Sequence, residues 1–423
     1  MITEKKYTAK CGIPIYTYRN PASHGFFISL FLKSGVMYER AQESGITHFL
    51  EHVAIRNINH RMDGELYPLL DKHGIEFNAS TYSEMVQFYL TGASEKFGIG
   101  ADVISMLLGE IALPPDEIDK ERDRIRAEIR ESGERTSLAS FTLERVFGGT
   151  SLSRSITGTA GAVSSVTRKR LEDYRRRVFT KDNLFLYVTG NFTDRDIDYL
   201  LRLVGECTIF AGDTHGNVAP VPEGFGRRGG AVYLKNADFT KVRFTFDLDM
   251  SRLSLPVLDV LYDTMLGGYN SSFFIELSEK RGLFYDLSGA VERYKNIGTF
   301  SFSYELRESK LEQAVSETVR LLRGLKEKEL PEDSCMKAGY VDNAYLLYDD
   351  IRELNFTFAY DNHVMDAGYT CIEDRQSAYR AVTPRDIMKA ARIIFTPDNL
   401  TLTMKGNKNR IDQSHIKNII NGL

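Results

Sequence analysis

The chain has 423 residues, of which 42% are hydrophobic and 26% charged, ordinary values for a globular protein. Lys and Arg number 54 against 58 Asp and Glu, and the net charge of −4 argues against a nucleic-acid partner. The length exceeds what one core commonly fills and suits about two to three domains.

The four cysteines, Cys11, Cys207, Cys335 and Cys371, lie far apart with no CxxC pair, so they read as reduced thiols of a cytoplasmic protein. The N-terminal stretch MITEKKYTAKCGIPIYTYRN lacks the apolar core of a secretory signal, and no apolar run approaches the ~20 residues of a membrane span. A soluble cytoplasmic chain with no membrane span is expected.

In chain order, FFISLFLKSG reads as a strand that opens the first half. ESGITHFLEHVAI follows as a helix, with Ile46, Leu50, Val53 and Ala54 among its apolar positions. His48 and His52 stand at i and i+4 on that helix, so both imidazoles point to one face and can grip a single ion. Glu51, three residues after His48, stands beside such an ion, where a general base acting on water belongs.

MVQFYLTG reads as a strand and ASEKFGIGADVISMLLGEI as an amphipathic helix after it. The stretch PPDEIDKERDRIRAEIRESGE, residues 114–134, is a charged helix starting after Pro-Pro. Its Glu121 and Glu128 are two turns apart on one stripe. Glu128, flanked by Ile125 and Ile129, is the better third metal ligand, with Glu121 supporting the site from behind.

Residues 166–191, VTRKRLEDYRRRVFTKDNLFLYVTGN, match residues 382–407, VTPRDIMKAARIIFTPDNLTLTMKGN, without gaps at an offset of 216, with 11 of 26 positions identical. Each copy predicts a Thr-capped helix, a tight turn and a strand ending in Gly-Asn, so the chain is an internal duplication. VRFTFDLDM and GTFSFSYEL are the strands of the second half, and ESKLEQAVSETVRLLRGLKE is its long helix. The Gly- and Pro-rich stretch 212–230 reads as a linker between an N-terminal domain, 1–211, and a homologous C-terminal domain, 231–423. The expected fold class is α+β, each domain an antiparallel-rich sheet with helices packed on one face.

The reversed HxxEH of His48 to His52 and the ERDRIRAE segment holding Glu128 together resemble the pitrilysin and insulin-degrading enzyme family of zinc peptidases, the inverzincins. Several further segments resemble the family in the same order, so the likeness covers nearly the whole chain. The resemblance implies Zn2+ held by His48, His52 and Glu128, Glu51 as the base, and Glu121 as a further acidic residue near the metal. It also implies two homologous domains per chain, and a second chain closing a clamshell around a peptide substrate. Asn78, Ala79 and Thr81 fall on the family strand whose edge lines the cleft, where a peptide can be bound as an added strand.

Family members pair a Tyr with an Arg seven residues earlier, and that pair assists the oxyanion from across the chamber. Here Tyr285 stands at the Tyr position, but Ser278 replaces the Arg, and Arg281 is three residues off register. The expectation is therefore a metal-bearing subunit of a heterodimer whose homologous partner lacks the zinc motif and supplies Arg and Tyr. Trimming of a bacteriocin-like precursor peptide fits similar two-chain members. A homodimeric general oligopeptidase and a non-catalytic assembly subunit are the alternatives.

Overall fold

In the strand Gly25–Leu32 alternate residues, Phe26, Ile28, Leu30 and Leu32, join one core cluster, while Phe27, Ser29 and Phe31 face the other side of the sheet. The computed structural model describes residues 2–131, 137–221, 228–234, 237–268, 270–284, 286–407 and 409–423. Its first sheet contains β1 (Lys5–Thr8), β2 (Pro14–Arg19), β3 (Gly25–Leu32), β4 (Glu76–Thr81), β5 (Val86–Ala93) and β6 (Leu184–Gly190), in the order β1-β2-β6-β3-β5-β4. Its second contains β7 (Arg228–Leu234), β8 (Phe239–Asp249), β9 (Leu287–Arg293), β10 (Ile297–Arg307) and β11 (Leu400–Asn407), in the order β7-β11-β8-β10-β9.

The two orders are the same once β1 is set aside, and each sheet has a single parallel pair, β2 with β6 and β7 with β11. The duplicated stretch lands as expected: the helices Arg168–Val178 and Pro384–Ile394 lead into β6 and β11. Thr167 and Thr383 cap them, accepting from the amides of Arg170 and Asp386. The β1–β2 hairpin and β7 were not anticipated, because KKYT and PIYTYR are short and lack a long apolar alternation.

The chain divides into two compact units, each made of three segments. The first holds the described residues of 1–133, 154–217 and 345–374, and the second those of 134–153, 218–344 and 375–423. The contiguous boundary at 212–230 is thus crossed by two exchanged segments. Residues 222–227 of that linker lie outside the described residues, and residues 228–230 belong to β7, where they pair with Thr401–Thr403. The exchange has a physical reason. The helices Ile46–Arg61, Phe97–Met106, Arg168–Val178 and Asp194–Gly205 cover one face of the first sheet and supply Phe49, Ile104, Leu171 and Leu200 to its core. The opposite face carries Phe27, Phe31 and Tyr187 and needs cover too, which the helix Ile351–Ala359 gives through contacts with β3 and β6. In the second unit the helix Leu138–Phe147 does the same over β7, β8 and β11, its Thr142 hydroxyl lying 2.6 Å from that of Thr403. No helix among the described residues is long and apolar enough to cross a membrane.

The helix Ile46–Arg61 has its start fixed by buried polar contacts. Gly45 precedes it at φ 87°, a left-handed conformation, with the Thr157 carbonyl only 2.6 Å from where a Cβ would sit. The Glu39 carboxylate accepts from the amides of Gly45 and Thr47, each at 2.9 Å, and so supplies the anion that a helix N-terminus favours. Burial pushes the Glu39 carboxyl up to about 7, against the opposing pull of those amides. The Thr47 hydroxyl meets that of the buried Tyr174 at 2.7 Å.

The exchanged helix of the first unit is held by one fully buried amide. Asn355 accepts from Ser29 Oγ at 2.7 Å and donates to the Tyr187 carbonyl at 2.9 Å. Asn355→Ala removes the acceptor of the buried Ser29 hydroxyl, which keeps only the donation from Gln87 Nε2 at 3.1 Å, and removes the amide that donates to the Tyr187 carbonyl, so a loss of about 1–3 kcal/mol is expected. Urea unfolding of the two proteins measures it, and an unchanged midpoint would contradict this account of the exchanged helix.

Candidate metal centre

Helical spacing brings the two histidines to one face, and a second helix brings a carboxylate to meet them. His48 is 8% exposed and His52 half-buried. The Nε2 of His48 lies 3.8 Å from Glu128 Oε1, and the Nε2 of His52 lies 3.8 Å from Glu128 Oε2. These gaps are too long for hydrogen bonds. The ligand atoms of the three residues nevertheless all lie within 4.8 Å of one another, a convergent set of two imidazoles and one carboxylate. That donor set fits zinc, which takes nitrogen and oxygen ligands at about 2.0–2.2 Å and in catalytic sites leaves a further position open.

Behind His52 stands the carboxylate expected there. Glu121 is 2% exposed, and its Oε2 lies 3.4 Å from His52 Nδ1. Its Oε1 accepts from Arg56 Nε at 2.9 Å and from Arg124 Nη1 at 2.7 Å. Arg56 also reaches Glu117 at 2.8 Å. A proton on Nδ1 facing Glu121 leaves the lone pair of Nε2 on the side of Glu128. Burial lowers the pKa of His48 to about 4, with a further push from His52, which keeps this imidazole neutral and ready to ligate. Burial alone would lower His52 too, but the carboxylates of Glu121, Glu51 and Glu128 raise it.

Glu51 projects from the same helix, and Thr81 Oγ1 of the edge strand β4 donates a short hydrogen bond to its Oε2. Burial raises the Glu51 carboxyl, and Glu128 adds to the rise, while Thr81 and His52 oppose it. The Thr81 hydroxyl thus orients the general-base candidate. Asn78 and Ala79 occupy β4, paired across to Tyr89 and Phe88 of β5. Since β4 ends the sheet order, its other edge has no partner strand among the described residues. Asn78 Oδ1 accepts from the Ala79 amide at 2.8 Å.

Tyr285 lies outside the described residues. Around it, Phe274–Glu279 form a π-helical turn that closes at Lys280, so Arg281 stands beyond the helix and its position is not set by helical rotation as expected. Arg281 donates to the Glu276 carbonyl at 2.8 Å and to the Glu276 carboxylate at 2.9 Å, and it meets Glu317 at 3.4 Å. Ser278 Oγ donates to the Phe284 carbonyl at 2.7 Å. Neither side chain takes the place of a free guanidinium. Of the other histidines, His215 stacks on Tyr38 and His363 on Tyr16.

Sequence reasoning missed Arg56, Arg124 and Glu39. Arg124 is three residues after Glu121, so that pairing was available from helical spacing, whereas Arg56 meets Glu121 from the other helix and gives no such signal. Glu39 carries no such signal, because its role depends on a loop turning back onto the helix start.

Comparison with known proteins agrees with this geometry. Residues 15–160 match the insulinase (peptidase family M16) model, and residues 165–338 match the model described as the peptidase M16 inactive domain. The chain is 25% identical over 350 residues to an uncharacterized zinc protease of Mycobacterium tuberculosis, covering 79% of this chain and 77% of the relative. It is 22% identical over 415 residues to the zinc protease YmxG of Bacillus subtilis, covering 93% and 96%. Among solved structures, the peptidase M16 inactive domain from Pseudomonas fluorescens superposes with a TM-score of 0.83 at 13% identity, covering 96% of this chain and 98% of that one. A protease from Helicobacter pylori superposes at 0.81 with 17% identity, covering 96% and 100%. With both of its domains matched in order, the chain belongs to the insulinase/pitrilysin family, peptidase family M16.

Proposed function

We propose that the protein is a zinc-dependent endopeptidase. The observation that carries this reading is the convergence of His48, His52 and Glu128, with Glu51 projecting from the same helix. A zinc ion held there supplies Lewis acidity, lowering the pKa of water and polarising a carbonyl. Glu51, desolvated and oriented by Thr81, takes a proton from the attacking water and returns it to the departing amine. Glu121 holds the His52 ring in the tautomer the centre requires, and Arg56 and Arg124 hold Glu121.

The substrate is an extended peptide. The unpaired edge of β4, which bears Asn78, Ala79 and Thr81, supports main-chain recognition, so affinity depends little on side chains. Trimming the leader of a precursor peptide in the cytoplasm is a reaction of this kind. Ser278 in place of Arg, together with the engagement of Arg281 by Glu276 and Glu317, supports pairing with a homologous subunit that supplies Arg and Tyr. Tyr285 then serves the partner's cleft or none.

Zinc measured per purified chain should approach one, and either His48→Ala or Glu128→Gln should remove most of it. Glu121→Ala should weaken zinc binding about 10–100-fold with the helix content unchanged. Full zinc retention in Glu128→Gln would contradict the ligand set. In a fluorogenic peptide assay, Glu51→Gln should keep its zinc and lose at least about 100-fold in turnover; near-normal hydrolysis would exclude Glu51 as the base. Adding a homologue that carries the Arg–Tyr pair should raise activity, whereas equal rates with and without it would contradict the heterodimer.

A further inference from the structure

Far apart as they are in sequence, Cys11 and Cys207 meet within the first unit. Their sulfurs lie 3.2 Å apart, with the Cys207 thiol donating to Cys11 Sγ across a separation of 196 residues. The other two cysteines, Cys335 and Cys371, are buried and belong to different units.

Backbone on both sides builds this contact. Cys11 sits in the turn between β1 and β2, where the Ala9 N–H donates to the Ile13 carbonyl at 2.9 Å and the Gly12 N–H to the Ala9 carbonyl at 2.8 Å. Gly12 takes φ 94°, the left-handed conformation that such a turn asks of a glycine. Cys207 follows the helix Asp194–Gly205, whose Ile197, Leu200 and Val204 are buried in the same core as Ala9, Ile13 and Ile15. At the end of that helix Gly205 lets the turn come close, since a Cβ there would lie 3.2 Å from Lys10 Cβ and 3.3 Å from Lys10 N.

One carbonyl aligns the two cysteines. The Val204 carbonyl, in the last turn of its helix and without a donor inside it, accepts from the Cys207 N–H at 3.2 Å and from the Cys11 thiol at 3.3 Å. The backbone of one cysteine and the side chain of the other are thereby pinned to the same atom. A disulfide holds its sulfurs at about 2.0 Å, so this pair has about 1.2 Å left to close, a distance that side-chain rotation covers. Both residues are part-exposed, so the pair lies where a small reagent can approach. Burial pushes the Cys207 thiol up to about 12, and the hydrogen bond with Cys11 adds to the rise, against the pull of Arg175. Cys207 is therefore a thiol at neutral pH, and its donation to Cys11 Sγ favours negative charge there, which makes Cys11 the sulfur that attacks first.

We propose that Cys11 and Cys207 form a reversible disulfide site, oxidised by exchange with a small-molecule disulfide of the glutathione class. The Cys11 thiolate attacks one sulfur of the reagent, whose S–S bond breaks and whose other half leaves as a thiolate. That thiolate takes the Cys207 proton, and Cys207 Sγ then attacks Cys11 Sγ and expels the second half, which is protonated by solvent. One protein disulfide has formed, one reagent disulfide has been reduced to two thiols, and the protein has lost two electrons and two protons. The cross-link spans residues 11–207, the stretch that contains the helices of the metal centre, so it restricts the unfolded chain and stabilises the first unit. In a reducing compartment the pair rests as two thiols and closes when the glutathione pool is oxidised.

The full chain, reduced and desalted, is equilibrated under chelator with mixtures of glutathione and glutathione disulfide, then quenched and unfolded for thiol counting. The count should fall from four to two as the disulfide fraction rises, and dithiothreitol should restore it. Peptide mass mapping should find Cys11 joined to Cys207, and the oxidised chain should melt about 5 °C or more above the reduced one. Cys207→Ser, with an unchanged circular dichroism spectrum, should stop at a glutathione adduct on Cys11. Replacing Cys335 and Cys371 by Ser should leave the cross-link in place. A count that stays at four in the most oxidising mixture, a link between other cysteines or between chains, or an adduct on Cys11 of the unaltered chain that never passes to Cys207 would each overturn the proposal.

Discussion

The candidate metal centre depends on one buried carboxylate. Glu121 is almost inaccessible to water, and a carboxylate in that position is costly unless its oxygens are bonded. Here one oxygen faces the His52 ring and the other takes two guanidinium groups. Removing either side would leave a charge stranded in the interior, so the helices Ile46–Arg61 and Pro115–Glu131 are locked in register by the same group that sets the histidine tautomer. Glu128, one stripe further along, then meets both Nε2 atoms. The positions of the ligands follow from this clamp as much as from the HxxEH spacing.

The duplication sets two units on one pattern, and among the described residues the candidate metal set lies in the first alone. The two sheets share their strand order, and each takes its second cover from a helix that lies in the other half of the sequence. On the shared scaffold the side chains diverged. Aromatic and amide groups line the outer face of the first sheet, around Asn355, whereas Thr401, Thr403 and Ser301 line that of the second.

Much of this was legible in the residues because it is periodic. The i, i+4 histidines, the two-turn spacing of Glu121 and Glu128, and the repeat of residues 166–191 at 382–407 each follow from one regular element, and each was found in place. What escaped was non-local. The exchanged helices Leu138–Phe147 and Ile351–Ala359 look like any amphipathic helices, and nothing local says which sheet they cover. Glu39 reaches the start of the metal helix only because a loop folds back, and the hydroxyl of Thr81 turns toward Glu51 only because β4 runs beside that helix. Arg281 was read as a displaced helical residue, yet the turn before it is a π-helix and ends first.

The central claim is that this chain builds one zinc centre from His48, His52 and Glu128. Zinc K-edge absorption on the loaded protein tests it most directly. The account predicts a shell of nitrogen and oxygen at about 2.0–2.2 Å with two imidazoles and no sulfur, and a changed shell in Glu128→Gln. A sulfur contribution, or a spectrum that Glu128→Gln leaves unaltered, would contradict it.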